Sequence, residues 1–334
     1  MLLGEIPHPP LVMVLPIALM TTTYIEQTPN APLWRVLVML NNASQKGFTL
    51  IELMIAITLG LLISAAALMI FLSSQRSLAI QGGMGEIQQN AIFGLTTLTY
   101  DLRHANLDTS SAYISTTQSG SGVIFDVNQT NIPINNQVTR VSTNNGSMNE
   151  PSDQLTIQYK ARQPMTNCEG ETVPADTFAV QRYYIDRLPN SQQDGGDVRY
   201  GLWCDAAGNV ETAPNTTQMR PMGNGAIVLI PDAESFKVSF GVRNLSGTPA
   251  NRADDTLRYQ TLSEYINTPT GTTVVSLEVG VVMRSSNSVH GDRNINRTDF
   301  TIAGQDVTLA NASNRYLRVP LTQVVAIRNS QGLE

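Results

Sequence analysis

The first residue of this sequence that could do chemistry is an acid inside an apolar run. The run extends from Phe48 to Leu72, and Glu52 is its single charged residue. An acid within a membrane-spanning segment costs roughly 2.5–3.5 kcal/mol on insertion scales. Glu52 is therefore expected either to lie near a membrane interface or to have a positively charged partner.

Two cysteines, Cys168 and Cys204, offer thiol chemistry in the polar part of the chain. An oxidising compartment would let them pair. The loop-entropy account gives roughly 4 kcal/mol for a crosslink that closes a loop of this length. A structural disulfide is therefore predicted. Zinc is disfavoured because two thiols need further ligands, and only His104 and His290 follow residue 47.

Other ionisable residues are given structural roles. His104 ends the sequence DLRH, where a cation favours the negative end of a helix dipole, so capping or packing is expected. Asp101 and Arg103 are two positions apart and do not face each other on a helix, so contacts to the following domain or to neighbouring subunits are expected. Asp254 and Asp255 could offer oxygens to calcium, but no EF-hand spacing surrounds them, and a solvated loop is predicted.

Motifs and composition also limit the function. The sequence contains no nucleophile elbow, P-loop, zinc-protease or dinucleotide fingerprint, so we predict no enzymatic activity, no cofactor and no metal. The net charge of -6 and the pI near 5.1 disfavour direct nucleic-acid binding. Only 14% of residues are charged, and Asn, Thr, Ser and Gln crowd the region after residue 105, as in exported bacterial surface proteins.

A long helix must position the acid. The segment Phe48–Leu72 can span a bilayer core of ~30 Å as a helix. After it, apolar residues recur at steps of three and four, which predicts one buried helical face and a helix that continues to about Asn106. The residues of this face are Ile87, Ala91, Leu95, Leu98 and Leu102.

Three glycines, Gly82, Gly83 and Gly85, cluster between the apolar and the amphipathic halves of this helix. Each costs up to ~1 kcal/mol of helix stability. They predict a flexible or locally melted joint.

Beyond residue 107 the pattern changes to alternating strands between polar turns. The alternation at 154–159 and 235–240 predicts half-buried strands, and 128–152 and 244–270 are predicted to be long surface loops. Together they predict an α+β fold in which the long helix packs on a head with a largely antiparallel sheet. Further strands are predicted at Gly122–Val127, Thr177–Asp186, Ala226–Ile230, Thr273–Arg284 and Tyr316–Arg328.

The residues QKGFTLIELMIAITLGLLI (Gln45–Ile63) resemble the type IV prepilin, or class III, signal. Lys46 precedes Gly47, Phe48 opens the apolar run, and Glu52 is the fifth residue after the glycine. The resemblance implies that a membrane-embedded prepilin peptidase cuts between Gly47 and Phe48 and N-methylates Phe48. Residues 1–47 would then be the leader, 48–106 the long helix with its span at 48–72, and 107–334 the extracytoplasmic head.

The start of the leader has two interpretations. MLNNASQKG, from Met39, would make a leader of ordinary length, and this start is expected. The preceding apolar run, Leu11–Met20, lacks the positive flank of a signal peptide. An unusually long leader with a second membrane-associated segment is the alternative.

Cleavage would also create a partner for Glu52, the new α-amine of Phe48. In pilin-like assemblies the acid is thought to attract the N-terminus of a neighbouring subunit, which compensates both charges in an apolar filament core. The alternative is a plain signal anchor whose acid lies at the interface.

Six later segments carry a second resemblance: Asn90–Leu107, Ser152–Ala161, Arg182–Asp186, Leu202–Asp205, Ser276–Ser286 and Arg315–Asn329. They resemble the PilW family of minor pilins. The resemblance implies a protein that joins other minor pilins in a tip complex, primes pilus assembly and presents a tip adhesin. The implied partners are the prepilin peptidase, other minor pilins, the major pilin and the adhesin. The chain would lie in the inner membrane with its head in the periplasm, and after assembly at the cell surface, where it would support adhesion and twitching motility.

Two alternatives stay open at this stage. One is a minor pseudopilin of a type II secretion system, and the other is a membrane-anchored binding protein or enzyme that never polymerises.

Overall fold

The computed structural model describes residues 47–189, 198–213, 216–223, 225–244, 256–267, 271–289, 297–311 and 315–330. The chain divides into two compact units, Met1–Ile63 and Ser64–Glu334. Of the first unit the described part is residues 47–63. Lys46, Met39 and the rest of the leader lie outside the described residues.

A long helix, α1, runs from Leu50 to Leu102. It begins where the backbone N–H of Glu52 donates to the hydroxyl of Thr49 at 3.3 Å, an N-capping contact. Among the described residues, α1 is the one helix long and apolar enough to cross a membrane.

The glycine cluster does not interrupt α1. The helix continues through Gly82, Gly83 and Gly85, so the predicted local melting is wrong, while the predicted flexibility stays a prediction. Gly83 lies close to the head, and a Cβ there would be 3.2 Å from the Cβ of Ser285. One glycine thus allows a close approach of the helix backbone to a strand, which offsets part of its cost in helix propensity.

The helix ends at Leu102, four residues before the predicted end at Asn106. Asn106 has a positive φ of 65°, a conformation that asparagine tolerates better than most residues. Its side chain fixes the turn: Nδ2 donates to the carbonyls of Ser111 and Asn329, and Oδ1 accepts from the N–H of Gly122. The chain therefore leaves the helix into a turn that is hydrogen-bonded on several sides.

Within the second unit α1 packs on two antiparallel sheets. The first sheet has the order β1-β2-β5-β6-β7 with β8 also pairing β6, and the second has the order β10-β9-β11-β14. This arrangement confirms the predicted α+β fold with a long helix and a largely antiparallel head. The strands of the first sheet are β1 Arg140–Val141, β2 Asp153–Lys160, β5 Phe178–Arg187, β6 Tyr200–Ala213, β7 Thr216–Arg220 and β8 Ile227–Pro231. The strands of the second sheet are β9 Ala233–Asn244, β10 Leu257–Thr261, β11 Thr272–Ser288 and β14 Tyr316–Ala326.

Smaller elements complete the head. The hairpins are β3 Met165–Thr166 with β4 Thr172–Val173, and β12 Asp299–Ile302 with β13 Gln305–Thr308. A short helix, α2 (Leu262–Ile266), follows β10 and is capped by Thr261 and Glu264. The prediction of a loop over 244–270 is therefore wrong at 257–266.

The buried face of α1 joins both sheets in one core. Its buried residues are Ile87, Ala91, Gly94, Leu98, Asp101 and Leu102, whereas Leu95 is only partly buried. Gly94 lies against Ile230 so closely that a Cβ would overlap its side chain. The predicted apolar stripe is thus the face that packs on the sheets, with Asp101 as an added polar member.

The first predicted half-buried strand, now β2, is buried on both faces. Irregular chain covers its polar side. The Gln154 side-chain amide donates to the Val138 carbonyl at 2.7 Å. The Gln158 side-chain amide donates to the Ser121 carbonyl at 2.6 Å. The alternating polar side chains of this strand therefore form hydrogen bonds with the backbone of the covering loops instead of with water.

The second of these strands, now β9, is also buried on both faces over most of its length. The β12–β13 hairpin covers its polar side. The Ser239 hydroxyl donates to the Ala303 carbonyl at 2.6 Å, and the Gln305 amide donates to the Val238 carbonyl at 3.1 Å. The prediction of a solvent-facing side is wrong for both strands for the same reason.

Two further predictions need correction. Gly122–Val127 is not a strand and contributes a single bridge, Val123 to Ile157, before a short 3-10 turn at Val127–Gln129. The long strand β6 was not predicted from periodicity, although it is central to the first sheet. The other predicted strands agree with β5, β8, β11 and β14 to within a few residues.

Candidate functional site

The sequence-predicted processing site lies just outside α1. Gly47, Phe48 and Thr49 form neither helix nor strand, and α1 begins at Leu50. Phe48 is 85% exposed, and nothing lies within 4 Å of the position of a Cβ at Gly47. The peptide bond between Gly47 and Phe48 is thus accessible and is not held in helical hydrogen bonds.

Glu52 lies in the first turn of α1 with its side chain exposed. The positive end of the helix dipole favours an acid there. Among the described residues its carboxylate has no hydrogen-bond or ion-pair partner. Its neighbours Ile51 and Leu53 are exposed apolar side chains. In a membrane or a protein interior such a carboxylate needs a cation, and this chain offers none among its described residues near Glu52.

Cys168 and Cys204 form a disulfide, with Cα atoms 6.3 Å apart. Cys204 is buried on β6, and Cys168 lies between β3 and β4. The bond therefore ties the β3–β4 hairpin to the first sheet. Beside it, the Glu169 carboxylate accepts from the N–H of Ala206 at 2.9 Å, while burial raises the pKa of Glu169.

A buried polar chain holds the end of α1 to the first sheet. The Tyr183 hydroxyl lies 2.9 Å from Oδ2 of Asp101 and 2.6 Å from Oε1 of Gln181. The side chain of Gln181 donates to the Tyr159 hydroxyl at 2.8 Å. This network is a contact between Asp101 and the head, as expected from the sequence.

The network of Asp101 is one proton short when the carboxyl is ionised. The Tyr183 hydroxyl has one proton and faces two acceptors, Asp101 and Gln181. A protonated Asp101 donates to Tyr183, which then donates to Gln181, and every acceptor is satisfied. Burial raises the pKa of Asp101 to about 6, in agreement with this arrangement.

Of the other residues singled out from the sequence, some make packing or hydrogen-bond contacts and the rest lie outside the described residues. His104 is half-buried between Tyr100 and Tyr159, with ring centroids 4.7 and 5.9 Å away, and burial lowers its pKa. The carbonyl of Arg103 accepts from the side-chain amide of Asn329. Asp254, Asp255 and His290 lie outside the described residues. In the part of the chain that the structure describes, no three His, Cys, Asp or Glu side chains are grouped as metal ligands.

A largely buried ionic cluster on the second sheet was not predicted from the sequence. Arg318 makes two bonds to Glu234, at 2.6 and 3.2 Å, and Arg284 lies 3.6 Å from the same carboxylate. Asp232 accepts two bonds from Arg199. The available signal was the position of Arg284 and Arg318 beside the apolar runs of two strands, since a charge there must be paired or exposed.

Comparisons with known proteins agree with this geometry. Residues 42–68 match the Prokaryotic N-terminal methylation motif, and residues 182–329 match the Type IV Pilus-assembly protein W. None of the curated proteins compared with the chain matches it significantly. A type IV-like pilin from Thermus thermophilus aligns over 73% of this chain and 97% of its own, with 11% identity and a TM-score of 0.36, values too low to carry a conclusion.

The two sequence matches lie on the parts of the chain that the site requires. The methylation motif covers the bond before Phe48 and the acid Glu52, and the pilus-assembly match covers most of both sheets. Pilins of this kind are structural proteins rather than a family of enzymes. The two matches therefore support a PilW-like minor pilin of the type IV pilus, with a prepilin methylation motif at the start of a helix that is long and apolar enough to cross a membrane.

Proposed function

We propose that this chain takes part in type IV pilus assembly as a member of the tip or priming complex, after prepilin peptidase cleaves it between Gly47 and Phe48. The observation that carries the proposal is an accessible peptide bond two residues before a helix whose first turn holds a carboxylate with no partner among the described residues. Packing within the described residues explains neither feature, and both would be explained by processing followed by assembly.

Cleavage supplies the missing cation. Hydrolysis of the bond adds water, leaves a carboxylate on Gly47 and frees the α-amine of Phe48, which remains cationic after N-methylation. The amine and Glu52 carry opposite unit charges, so their pairing between neighbouring subunits leaves no net charge in an apolar filament core. The same pairing would draw each subunit out of the membrane and into the growing filament.

The proposed location follows from the helix and the disulfide. The apolar part of α1 anchors the chain in the inner membrane. The disulfide between Cys168 and Cys204 supports a head in the oxidising periplasm and, after assembly, on the pilus at the cell surface. The proposed partners are the prepilin peptidase, other minor pilins, the major pilin and a tip adhesin. The match to a pilus-assembly family favours this machine over type II secretion.

Deletion of the gene tests the proposal in cells that make pili. A priming subunit is expected to be present at a few copies per filament, so its loss should reduce the number of surface pili strongly while the major pilin is still made. The measurements are pilus counts by electron microscopy and the ratio of this chain to the major pilin in sheared pili by mass spectrometry. Normal pilus numbers without the chain, or a ratio near one, would contradict the proposed role.

A further inference from the structure

The last strand of the second sheet has an open edge. Ile327 donates through its N–H to the Val275 carbonyl at 2.9 Å, in the register that pairs Ala326 with Ser276. Bonded and non-bonded pairs alternate along an antiparallel ladder. The N–H groups of Thr322, Val324 and Ala326 therefore point away from β11.

Nothing among the described residues accepts hydrogen bonds from these three N–H groups. Pro320 is the next residue whose backbone nitrogen points away from β11. It has no N–H, so it cannot donate to an added strand, and proline is often found at such positions of edge strands. The segment Thr322–Ala326, here named the β14 edge, is about 16 Å long at ~3.3 Å per residue. Val324 on it is 49% exposed. An unprotected apolar edge of this kind is a template for another strand.

A groove along α1 continues this edge on one side. It has a volume of about 460 Å³. Ile92 and Tyr100 in it are 68% and 57% exposed. The helical residues of the groove follow the spacing of one face, which lies beside the face that packs on the sheets, with Leu95 at the border between them. A strand added to the β14 edge would place every second side chain against this face. The groove, here named the α1 groove, is lined by Ile92, Leu95, Thr96, Thr99, Tyr100, Arg103 and Gln323.

The direction of α1 restricts what can pair there. Two copies joined through their β14 edges by a two-fold axis would have antiparallel helices. All such helices, however, enter the membrane from the same end, so this pairing is excluded for membrane-anchored subunits. The strands of the second sheet alternate in direction, so β10 runs opposite to β14. A neighbour with a parallel helix can therefore present the strand at the opposite edge of its sheet, antiparallel to β14.

Charge distinguishes between a copy of this chain and a different subunit. Arg103 is the one charged residue that lines the α1 groove. The β10 strand of this chain carries Arg258 and no acid, so it would bring a second cation towards Arg103. A partner strand with an acidic residue and alternating apolar residues fits better.

We propose that the β14 edge and the α1 groove bind an edge strand of a different pilin-class subunit whose N-terminal helix lies parallel to α1. This proposal rests on the proposed function, because it requires co-assembly with such subunits. It adds the surface through which a neighbouring head is recognised, by main-chain pairing in the manner of strand addition.

Photo-crosslinking in piliated cells tests the pairing. Benzoylphenylalanine replaces Val324 in the full-length chain, and in a control it replaces Thr301, an exposed position on the β12–β13 hairpin. The expected result is a crosslink from position 324 that mass spectrometry maps to an edge strand of another pilin-class subunit. Position 301 should give no such crosslink. A crosslink to the β14 edge of a second copy, or no crosslink to any pilin-class chain, would overturn the proposal.

A matched pair of variants tests the hydrogen bonds. Val324→Pro removes an outward N–H without touching the ladder to β11, and Val324→Thr keeps the N–H and the β-branched shape. With benzoylphenylalanine placed at Tyr100, the yield of the intersubunit crosslink should fall at least about tenfold in the proline variant and stay near wild type in the threonine variant. Equal yields would overturn the proposal.

A second pair guards against misfolding of the proline variant. Thr96→Lys adds a cation to the α1 groove, and Gln89→Lys adds one to an exposed site of α1 outside it. Only the first should reduce the crosslink, and equal yields would again count against the groove. In the same strains the N-terminus of the chain and the dependence of pili on Glu52 are measured. If the chain without these substitutions gives no crosslink from position 324 although processing is normal and the pili depend on Glu52, the edge proposal alone ends, whereas unprocessed chain ends the proposed function.

Discussion

At the scale of single residues, the central group is Glu52, an exposed carboxylate in an apolar first turn. Under the proposed pairing, replacing it with alanine would leave the Phe48 amine without its counter-charge in a filament core. An uncompensated charge in such surroundings costs roughly 2.5–3.5 kcal/mol, which corresponds to about a hundredfold loss of assembly.

Glu52→Ala should therefore abolish complementation of pilus numbers in a deletion strain, while the chain is still made and still cleaved before Phe48. Glu52→Asp is the matched control and should restore part of the pili, since it keeps the charge. Electron microscopy and N-terminal sequencing give the two readouts. Full piliation with the alanine variant would exclude charge pairing as the mechanism.

Asp101 gives a residue-scale prediction on pH. Its pKa is about 6 in the folded protein against 3.8 as the ordinary value. The folded state thus holds the proton more tightly, and the stabilisation from this group is complete below about pH 4 and is lost as the pH rises through about 6. The effect is up to roughly 3 kcal/mol, at about 1.4 kcal/mol per pKa unit.

Asp101→Asn stays neutral at every pH and keeps a side chain that can donate to Tyr183. It should remove the part of the pH dependence between pH 4 and 6 that comes from this residue and should be at least as stable as wild type at pH 7. Thermal unfolding of the purified full-length protein in detergent, at several pH values, measures the difference. Parallel curves for the two proteins would show that Asp101 is ionised throughout.

At the scale of elements, the close packing of α1 on the sheets depends on one glycine. Gly94→Val would press its side chain into Ile230, and overpacking of this kind costs about 1–3 kcal/mol. The matched control is Gly85→Ala, where nothing lies within 4 Å and a gain of about 0.5–1 kcal/mol is expected from helix propensity. Opposite shifts in the unfolding midpoint would support the packing. Similar shifts of the two midpoints would show that helix propensity alone determines the effect of these substitutions on stability.

The elements also show how much of this protein its sequence predicts. Apolar runs and periodicity locate α1 and most long strands, because burial against a membrane or a core requires those patterns. They do not predict that Gln154 and Ser239 face other segments of the chain instead of water. Alternation shows which side chains are polar, but it does not show whether solvent or protein lies against them. The end of α1 at Leu102 depends on the bonds of Asn106 to Asn329, which are distant in sequence.

The candidate site divides in the same way. Gly47, Phe48 and Glu52 are local in sequence, so their motif is readable without a structure. The network of Asp101 and the β14 edge arise only when distant strands meet α1. No local pattern around residues 322–326 distinguishes an edge strand from a central one, apart from the proline at 320.

At the scale of the whole molecule, the disulfide should add stability to the head. It closes a loop of 36 residues, and its loss should cost about 2–4 kcal/mol. A Cys168→Ser, Cys204→Ser double variant should unfold at a lower temperature than wild type, and a reducing agent should lower the wild type towards the variant without affecting the variant. No difference between the two under oxidising conditions would mean that the bond contributes nothing to stability.

The proposed function depends on conversion of a membrane-anchored precursor into a subunit with a cationic N-terminus. The most direct test is intact-mass measurement and N-terminal sequencing of the protein from cells with and without prepilin peptidase. The account predicts a mature chain that begins with N-methylated Phe48 and that disappears, in favour of the uncleaved precursor, when the peptidase is absent. The same uncleaved chain in both strains would contradict it, and the pairing of Glu52 with a neighbouring N-terminus would be excluded with it.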